Sequence, residues 1–240
     1  SQPAPGGAAQ EAGAGAPGAA AAVDLQTLGD IKVRYDAFDE QRELVLKRSR
    51  DVNKSAKNAI YALQRADYKK ADAYLQQAGK DAAAIHREVV AHYPRLRDGF
   101  FSATLEELVE AHAYGAFRRG RRLLSLEELQ EASGLAFPLT LAEYLGGIMD
   151  LTGEVGRLAT RSASKGRSAR PDVERCLACV DAVYSGVQVL PSFPFKIGKK
   201  FGALKSTLAK IESVLYEMAL LSQGVSSRAQ EEAGGPEAEE

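Results

Sequence analysis

The chain has 240 residues, enough for one compact domain or two small ones, and 45% of them are hydrophobic. Its 31 lysine and arginine residues nearly balance 32 aspartate and glutamate residues, which excludes a strong overall field toward nucleic acid or anionic lipid. A polyanionic partner would therefore need a local basic patch. No apolar run reaches the roughly eighteen residues that a membrane-spanning helix requires, so we expect no membrane segment.

Both ends of the chain have compositions that do not support a packed core. Residues 1–23 are mostly alanine, glycine and proline, and residues 223–240 are polar and acidic. Such segments bury too little apolar surface to offset the entropy lost on ordering. We therefore expect a disordered arm at 1–23, one helical domain at 24–222 and a disordered acidic tail at 223–240.

The first half of the domain has the apolar spacing of long helices, with apolar residues recurring at three- and four-residue steps. This spacing predicts a first helix from Asp24 to about Arg65. Asp67 is a candidate N-cap for a second helix that runs to about Tyr93, where Pro94 stops it. A third helix is expected from about 96 to 122.

Capping residues mark the next two helices. Ser125 and Glu128 have the spacing of a capping box for a short fourth helix, and Gly134 is a candidate C-cap. Thr140 and Glu143 have the same spacing and predict the start of a fifth helix, which runs to about residue 162.

Two further helices complete the predicted fold. Pro171 suits the first turn of a sixth helix that runs to about Val187, and a seventh is expected from about Lys199 to Leu221. No alternating strand pattern bounded by turns competes with this interpretation. The predicted fold is all-α, a single-domain bundle of about seven helices.

The two cysteines, Cys176 and Cys179, form a lone C-x-x-C inside the apolar pattern of the sixth helix. A zinc site needs about four ligands, and the chain has no second pair of cysteines. We interpret both residues as reduced thiols of the core.

Two of the expected helices carry pairs of carboxylates among apolar residues. Glu107 and Glu110 are three residues apart, and Asp150 and Glu154 are four apart, so each pair shares a helix face. If the two helices pack side by side, the carboxylates converge. Convergent oxygen atoms without nearby histidine or cysteine suit Mg²⁺ or Mn²⁺. The alternative is that both pairs lie on solvated faces, because acidic pairs at these spacings are common.

Basic residues concentrate in two segments, one directly after the first acid pair and one at the start of the seventh helix. Cations at a helix C-terminus complement its dipole. This interaction alone would account for the first group of basic residues, and no ligand is needed to explain it. The functional alternative is contact with phosphate groups. The predicted nucleic-acid-binding residues are Arg118, Arg119, Arg121, Arg122, Lys199 and Lys200.

Three segments match one known family in order and spacing: "LEELVEAHAYGAFRRGRRLLSLEEL", "YLGGIMDLTGEVGRL" and "KKFGALKSTLAKIESVLYEM". They resemble the translin superfamily, and the block "DLTGE" resembles its translin-associated factor X (Trax) branch more than translin itself. The resemblance implies a seven-helix fold and a Mg²⁺-dependent endoribonuclease, with Mn²⁺ as a substitute. It further implies single-stranded or nicked RNA as substrate, binding of RNA or single-stranded DNA, a closed hetero-oligomer with translin subunits, and a location in cytoplasm and nucleus.

The family's catalytic and metal-ligating acids, carried over by position, fall on Glu107, Glu110 and Asp150, and Glu154 is expected to be a fourth member of the set. Glu143 precedes the last two on nearly the same face and is expected to support them. Two alternatives remain at this point. The chain could be a non-enzymatic nucleic-acid-binding adaptor that stabilises a translin oligomer, or it could assemble with itself through apolar surface on its first helices.

Overall fold

The computed structural model describes residues 25–120, 122–190 and 197–233. The chain divides into two compact units, residues 1–40 and 41–240. In the first unit, the described residues form the beginning of the first helix, where the apolar side chains of Leu28, Ile31, Val33 and Tyr35 are exposed. The second unit contains all the other helices and every predicted site residue that the structure describes.

Within the described residues, the chain forms seven α-helices and no strand. They are α1 (Leu25–Gln64), α2 (Tyr68–Ile85), α3 (Ser102–Arg118), α4 (Leu126–Ser133), α5 (Leu141–Ala163), α6 (Arg170–Gln188) and α7 (Ile197–Ala233). The predicted all-α fold of about seven helices is confirmed, although α7 continues past its predicted end at Leu221. None of these helices is long and apolar enough to cross a membrane, a finding that covers the described part of the chain.

The helix ends with capping signals lie where the sequence predicted them. The Asp67 side chain accepts a hydrogen bond at 3.1 Å from the backbone N–H three residues later, at the start of α2. Ser125 and Thr140 each form a complete capping box, at the starts of α4 and α5. Gly134 follows α4 with a φ of +65°, a left-handed conformation that glycine adopts without steric cost. Local hydrogen bonding therefore determines these boundaries.

The second and third helices differ from the prediction. α2 ends at Ile85 and continues as a π-helical turn, His86–Val90. Gly99 then has a φ of +83° and a ψ of −115°, which breaks the expected third helix, so α3 begins at Ser102. α3 also ends at Arg118, several residues before its predicted end. Apolar spacing does not reveal the break at Gly99, because apolar residues continue on both sides of it, and no apolar residue between Phe117 and Leu123 marks the end of α3.

The central helix is α5, which packs against α3, α6 and α7. It approaches α3 closely because of Gly147, where an added Cβ would lie 2.6 Å from both the Glu106 carbonyl oxygen and the Val109 Cβ. The two helices that carry the predicted acid pairs are therefore neighbours.

A buried ion pair fixes the beginning of α5. The Glu143 side chain is fully buried, and its carboxylate receives hydrogen bonds from Arg97 Nε at 3.0 Å and Nη2 at 2.6 Å. It also accepts a hydrogen bond from the Thr140 N–H at 2.8 Å. The Arg97 guanidinium lies 4.8 Å from the centre of the Phe137 ring. These contacts make Glu143 a structural group of the helix start, in place of the supporting role expected beside the acid pairs.

Cys176 and Cys179 are free and buried in α6, as predicted for core thiols. Burial raises the pKa of Cys176 to about 11 and that of Cys179 to about 12. Both side chains are therefore neutral thiols at physiological pH, which makes them poor nucleophiles and poor metal ligands.

Candidate carboxylate site

The packing of α3 on α5 brings the four predicted acids into one region. Glu110 and Glu154 are nearly buried, with 8% and 6% of their surface exposed. The side chains of Glu107 and Asp150 are 29% and 34% exposed and lie toward solvent. The first two acids thus form the interior of the cluster and the other two its margin.

The electrostatics of the cluster centre on Glu110. Burial, with smaller contributions from the charges of Glu107, Asp150 and Glu154, raises its pKa to about 8. Burial also raises the pKa of Glu107, with a smaller contribution from Asp150 in the same direction. Glu110 is therefore mostly protonated at neutral pH, chiefly because it is buried and secondarily because three acids lie near it.

Three of the acids line a cavity of about 280 Å³, which also receives side chains from the second half of α1. Its lining residues are Lys57, Ile60, Tyr61, Gln64, Glu107, Glu110, Glu154 and Arg157. Asp150 lies beside the cavity rather than in its lining. The cavity is thus a polar cleft with carboxylates on one wall and α1 on the other.

Polar side chains around the cleft hold its acids. Gln64 donates a hydrogen bond from Nε2 to Glu154 Oε2 at 2.7 Å, and Arg157 forms an ion pair with the same carboxylate. Lys57 Nζ lies 3.8 Å from Glu107 Oε1. Sequence reasoning did not identify these three residues. Two of them lie on α1, far from the acids in sequence, where nothing in their spacing points to the cluster.

Lys200 reaches the cluster from α7. Its ammonium group forms ion pairs with Glu106 and Asp150 and donates a hydrogen bond to the Gly146 carbonyl oxygen at 3.1 Å. A Cβ at position 146 would lie 2.5 Å from Glu106 Oε2, so glycine leaves room for this carboxylate. Burial lowers the pKa of Lys200, but its hydrogen bonds to Asp150 and Glu106 outweigh that effect and raise it. Lys200 was predicted to contact nucleic acid; in the structure its ammonium group pairs with these acids, and the nucleic-acid contact stays a prediction.

The donor chemistry of the cluster suits a hard divalent cation, because the four acids offer only oxygen atoms as donors. The distances between the side chains are less favourable. In the part of the chain that the structure describes, no group of three histidine, cysteine, aspartate or glutamate side chains is close enough together to hold a metal ion. Lys200 already pairs with the Asp150 carboxylate. A metal ligated by Asp150 would therefore have to displace the Lys200 ammonium from it.

The other predicted nucleic-acid-binding residues that the structure describes lie outside the cleft lining. Arg118 donates a hydrogen bond from Nε to a backbone carbonyl of α1 at 3.1 Å, and Arg119 and Arg122 each pair with a carboxylate. Lys199 is exposed at the start of α7, and Arg121 lies outside the described residues. Nucleic-acid binding by this group stays a prediction.

The fold and the site define the class of this protein. It is an all-α protein in which two adjacent helices, α3 and α5, carry buried carboxylates beside a cleft. A model of the Translin family matches residues 40–221 of the chain. The protein belongs to the Translin family, as the sequence segments indicated.

Relatives of both branches of the family are similar to this chain. Translin-associated protein X of Mus musculus is 27% identical over 229 residues, which cover 76% of this chain and 74% of that protein. Translin of Gallus gallus is 28% identical over 137 residues, covering 55% of this chain and 58% of that protein.

Two crystal structures share the fold. Apo-NeC3PO aligns with a TM-score of 0.67 at 24% identity, covering 80% of this chain and 96% of that one. AfC3PO aligns with a TM-score of 0.60 at 22% identity and the same 80% and 96% coverage. At these identities the similarity supports the shared fold.

Proposed function

We propose that this protein is the catalytic, Trax-like subunit of a complex with translin subunits, and that it is a metal-dependent endoribonuclease acting on single-stranded or nicked RNA. One observation carries the proposal. Glu110 is buried beside three other carboxylates, and its pKa is raised to about 8. Placing a buried acid among like charges costs stability, and such perturbed acids concentrate at functional sites.

Glu107, Glu110, Asp150 and Glu154 are the residues that would hold Mg²⁺, or Mn²⁺ in its place. When bound there, the cation supplies neutralisation of phosphodiester charge and activation of water. Cation binding requires Glu110 to release the proton that it holds at neutral pH, so affinity for the cation should increase with pH. This coupling follows from the burial of Glu110 and its three acidic neighbours.

In this proposal, two exposed cations of the cleft contact the substrate. The side chains of Lys57 and Arg157 line the cleft and are 58% and 70% exposed, so both can reach phosphate oxygens of a strand that enters it. Gln64 orients Glu154 by a hydrogen bond and keeps its carboxylate toward the cleft. We assign binding of RNA, and of single-stranded DNA, to this surface in addition to the predicted basic residues.

We also propose that the chain works within a closed hetero-oligomer with translin subunits, in cytoplasm and nucleus. Similarity to both translin and translin-associated protein X supports such an assembly. The exposed apolar side chains on the first part of α1, including Leu28, Ile31 and Tyr35, provide surface of the kind that subunit interfaces bury.

The test is cleavage of a short, end-labelled single-stranded RNA by the full chain, alone and mixed with translin, in Mg²⁺ or in EDTA. We expect cleavage that requires Mg²⁺ and is lost in the Glu110→Gln, Asp150→Asn double variant. The matched control replaces two exposed acids of α7, Glu212→Gln and Glu217→Gln, and should cleave at the wild-type rate. Wild-type cleavage by the first double variant, in a correctly assembled complex, would refute the proposal.

A second candidate is a non-enzymatic adaptor that binds nucleic acid and stabilises a translin oligomer. The observation that favours it is Lys200, which already provides a counter-charge for Asp150 and Glu106. A cation that binds only the folded protein must raise its melting temperature. If Mn²⁺ raises the melting temperature of the wild type and of the acid double variant equally, and no RNA is cleaved, the adaptor is the better description.

A further inference from the structure

A second cavity lies next to the carboxylate cleft. It has a volume of about 250 Å³ and is lined by residues from the end of α1, the turn that follows it and the first turns of α2. Its lining includes Tyr61, Arg65, Lys70 and Tyr74. Tyr61 lines the carboxylate cleft as well, so the two cavities share this residue.

Tyr61 lies largely outside the core. Its surface is 58% exposed, although large aromatic side chains lose a favourable burial free energy when they remain in water. Lys57 lies one turn before Tyr61 on the same face of α1, and Arg65 lies in the turn directly after the helix. The exposed Tyr61 ring thus has one cation before it on the helix and another just beyond the helix end.

The second cavity is positively charged at its margin. Arg65 and Lys70 are exposed there, and Lys70 lies 6.0 Å from the centre of the Tyr74 ring. The acid in the lining, Asp67, caps α2 by accepting a hydrogen bond from the Lys70 N–H at 3.1 Å. Its carboxylate is therefore partly engaged with the helix end, and the two cations remain available to an anion.

We propose that Tyr61, Arg65, Lys70 and Tyr74 form a binding site for the single-stranded RNA segment that extends from the carboxylate cleft. An unpaired base stacks on Tyr61, and phosphates next to it contact Arg65 and Lys70. Proteins bind single strands by this combination, because every base offers a flat face and every linkage a negative charge. A duplex would keep its bases stacked on each other and would leave the exposed Tyr61 ring without a base partner.

This inference deepens the proposed function and rests on it for the identity of the strand. The proposed contacts with RNA lie at the end of α1, in the turn after it and on α2, and the arginines at the end of α3 take no part in them. The path of the strand, from one cavity to the other, follows from Tyr61, because this residue lines both the carboxylate cleft and the second cavity.

The test measures equilibrium binding of a fluorescein-labelled twelve-nucleotide RNA to the assembled full-length protein in EDTA, so that binding is separated from cleavage. Tyr61→Ala should weaken binding about tenfold, and Tyr61→Phe, which keeps the ring, should restore it to within about twofold. The control is Tyr216→Ala, which removes a tyrosine of α7 that is 66% exposed and should leave affinity unchanged.

A second measurement tests the cations. Each phosphate contact to a single strand contributes about 0.7 to the slope of log affinity against log salt, so Arg65→Ala with Lys70→Ala should reduce the slope by about 1.4. A Tyr61→Ala variant that binds RNA as the wild type does, or that changes the size of the assembly instead, would overturn the inference. It would also be overturned if the wild type bound no RNA.

The two proposals fail separately. Binding that depends on Tyr61, without Mg²⁺-dependent cleavage, would support the RNA site and refute the nuclease activity. Cleavage that Tyr61→Ala leaves at the wild-type rate, with wild-type binding, would support the nuclease and remove this site.

Discussion

Replacing Glu110 by glutamine should make the protein more stable, and increasingly so as the pH rises. The pKa of Glu110 is raised from 4.5 to about 8 by burial and by its acidic neighbours, so the folded protein holds a proton that the unfolded chain releases. Stability is therefore lost between about pH 4.5 and pH 8. Each pH unit in this range costs about 1.4 kcal/mol, and the full difference is about 3–5 kcal/mol. Glutamine has nearly the same shape and no charge to remove.

The assay is urea unfolding of the wild type and of Glu110→Gln in EDTA at pH 5, 6, 7 and 8, at one fixed protein concentration. The variant should match the wild type near pH 5 and exceed it progressively at pH 7 and 8. The control is Glu212→Gln, an exposed acid of α7, whose difference from the wild type should stay small throughout. A difference between Glu110→Gln and the wild type that does not change with pH would refute the assigned electrostatics.

Three further outcomes follow from the packing. Lys200→Met should lower the free energy of unfolding in EDTA by about 1–3 kcal/mol, because it leaves Asp150 and Glu106 without their counter-charge. Mn²⁺ should then raise the melting temperature of this variant more than that of the wild type. An equal rise in both proteins would contradict competition between the Lys200 ammonium and the metal. Gly147→Ala should cost about 1–3 kcal/mol by urea unfolding, since its Cβ would meet α3 at 2.6 Å, whereas Gly153→Ala, with nothing within 4 Å, should be neutral or slightly stabilising. Both thiols of α6 should react slowly with a thiol reagent at pH 7.5 until guanidinium unfolds the chain; rapid reaction in the native protein would contradict their burial.

The sequence predicted features whose physical cause is local. Helical spacing and capping side chains depend on residues within about one turn, so the starts of α2, α4 and α5 could be located from Asp67, Ser125 and Thr140. The break at Gly99 could not, because apolar residues continue on both sides of it, and the end of α3 could not, because no apolar side chain between Phe117 and Leu123 marks it.

The candidate site shows the same division. The spacing of Glu107 with Glu110, and of Asp150 with Glu154, indicated two acidic faces, and the family resemblance assigned them a role. The sequence could not choose between solvated faces and a buried cluster, because that depends on which helices touch. The close packing of α5 on α3 at Gly147 brings the two acidic faces together, and Glu110 is buried as a result.

What the sequence determined by itself was the all-α fold, most helix boundaries, the family and the residue types of the acid cluster. What tertiary structure decided was the charge state of Glu110, the pairing of Lys200 with Asp150, and the meeting of Tyr61 with both cavities. The physical reason is distance along the chain. Hydrogen bonds of helix ends join near neighbours, whereas burial and Coulomb interactions depend on packing between α1, α3, α5 and α7, whose residues are far apart in sequence.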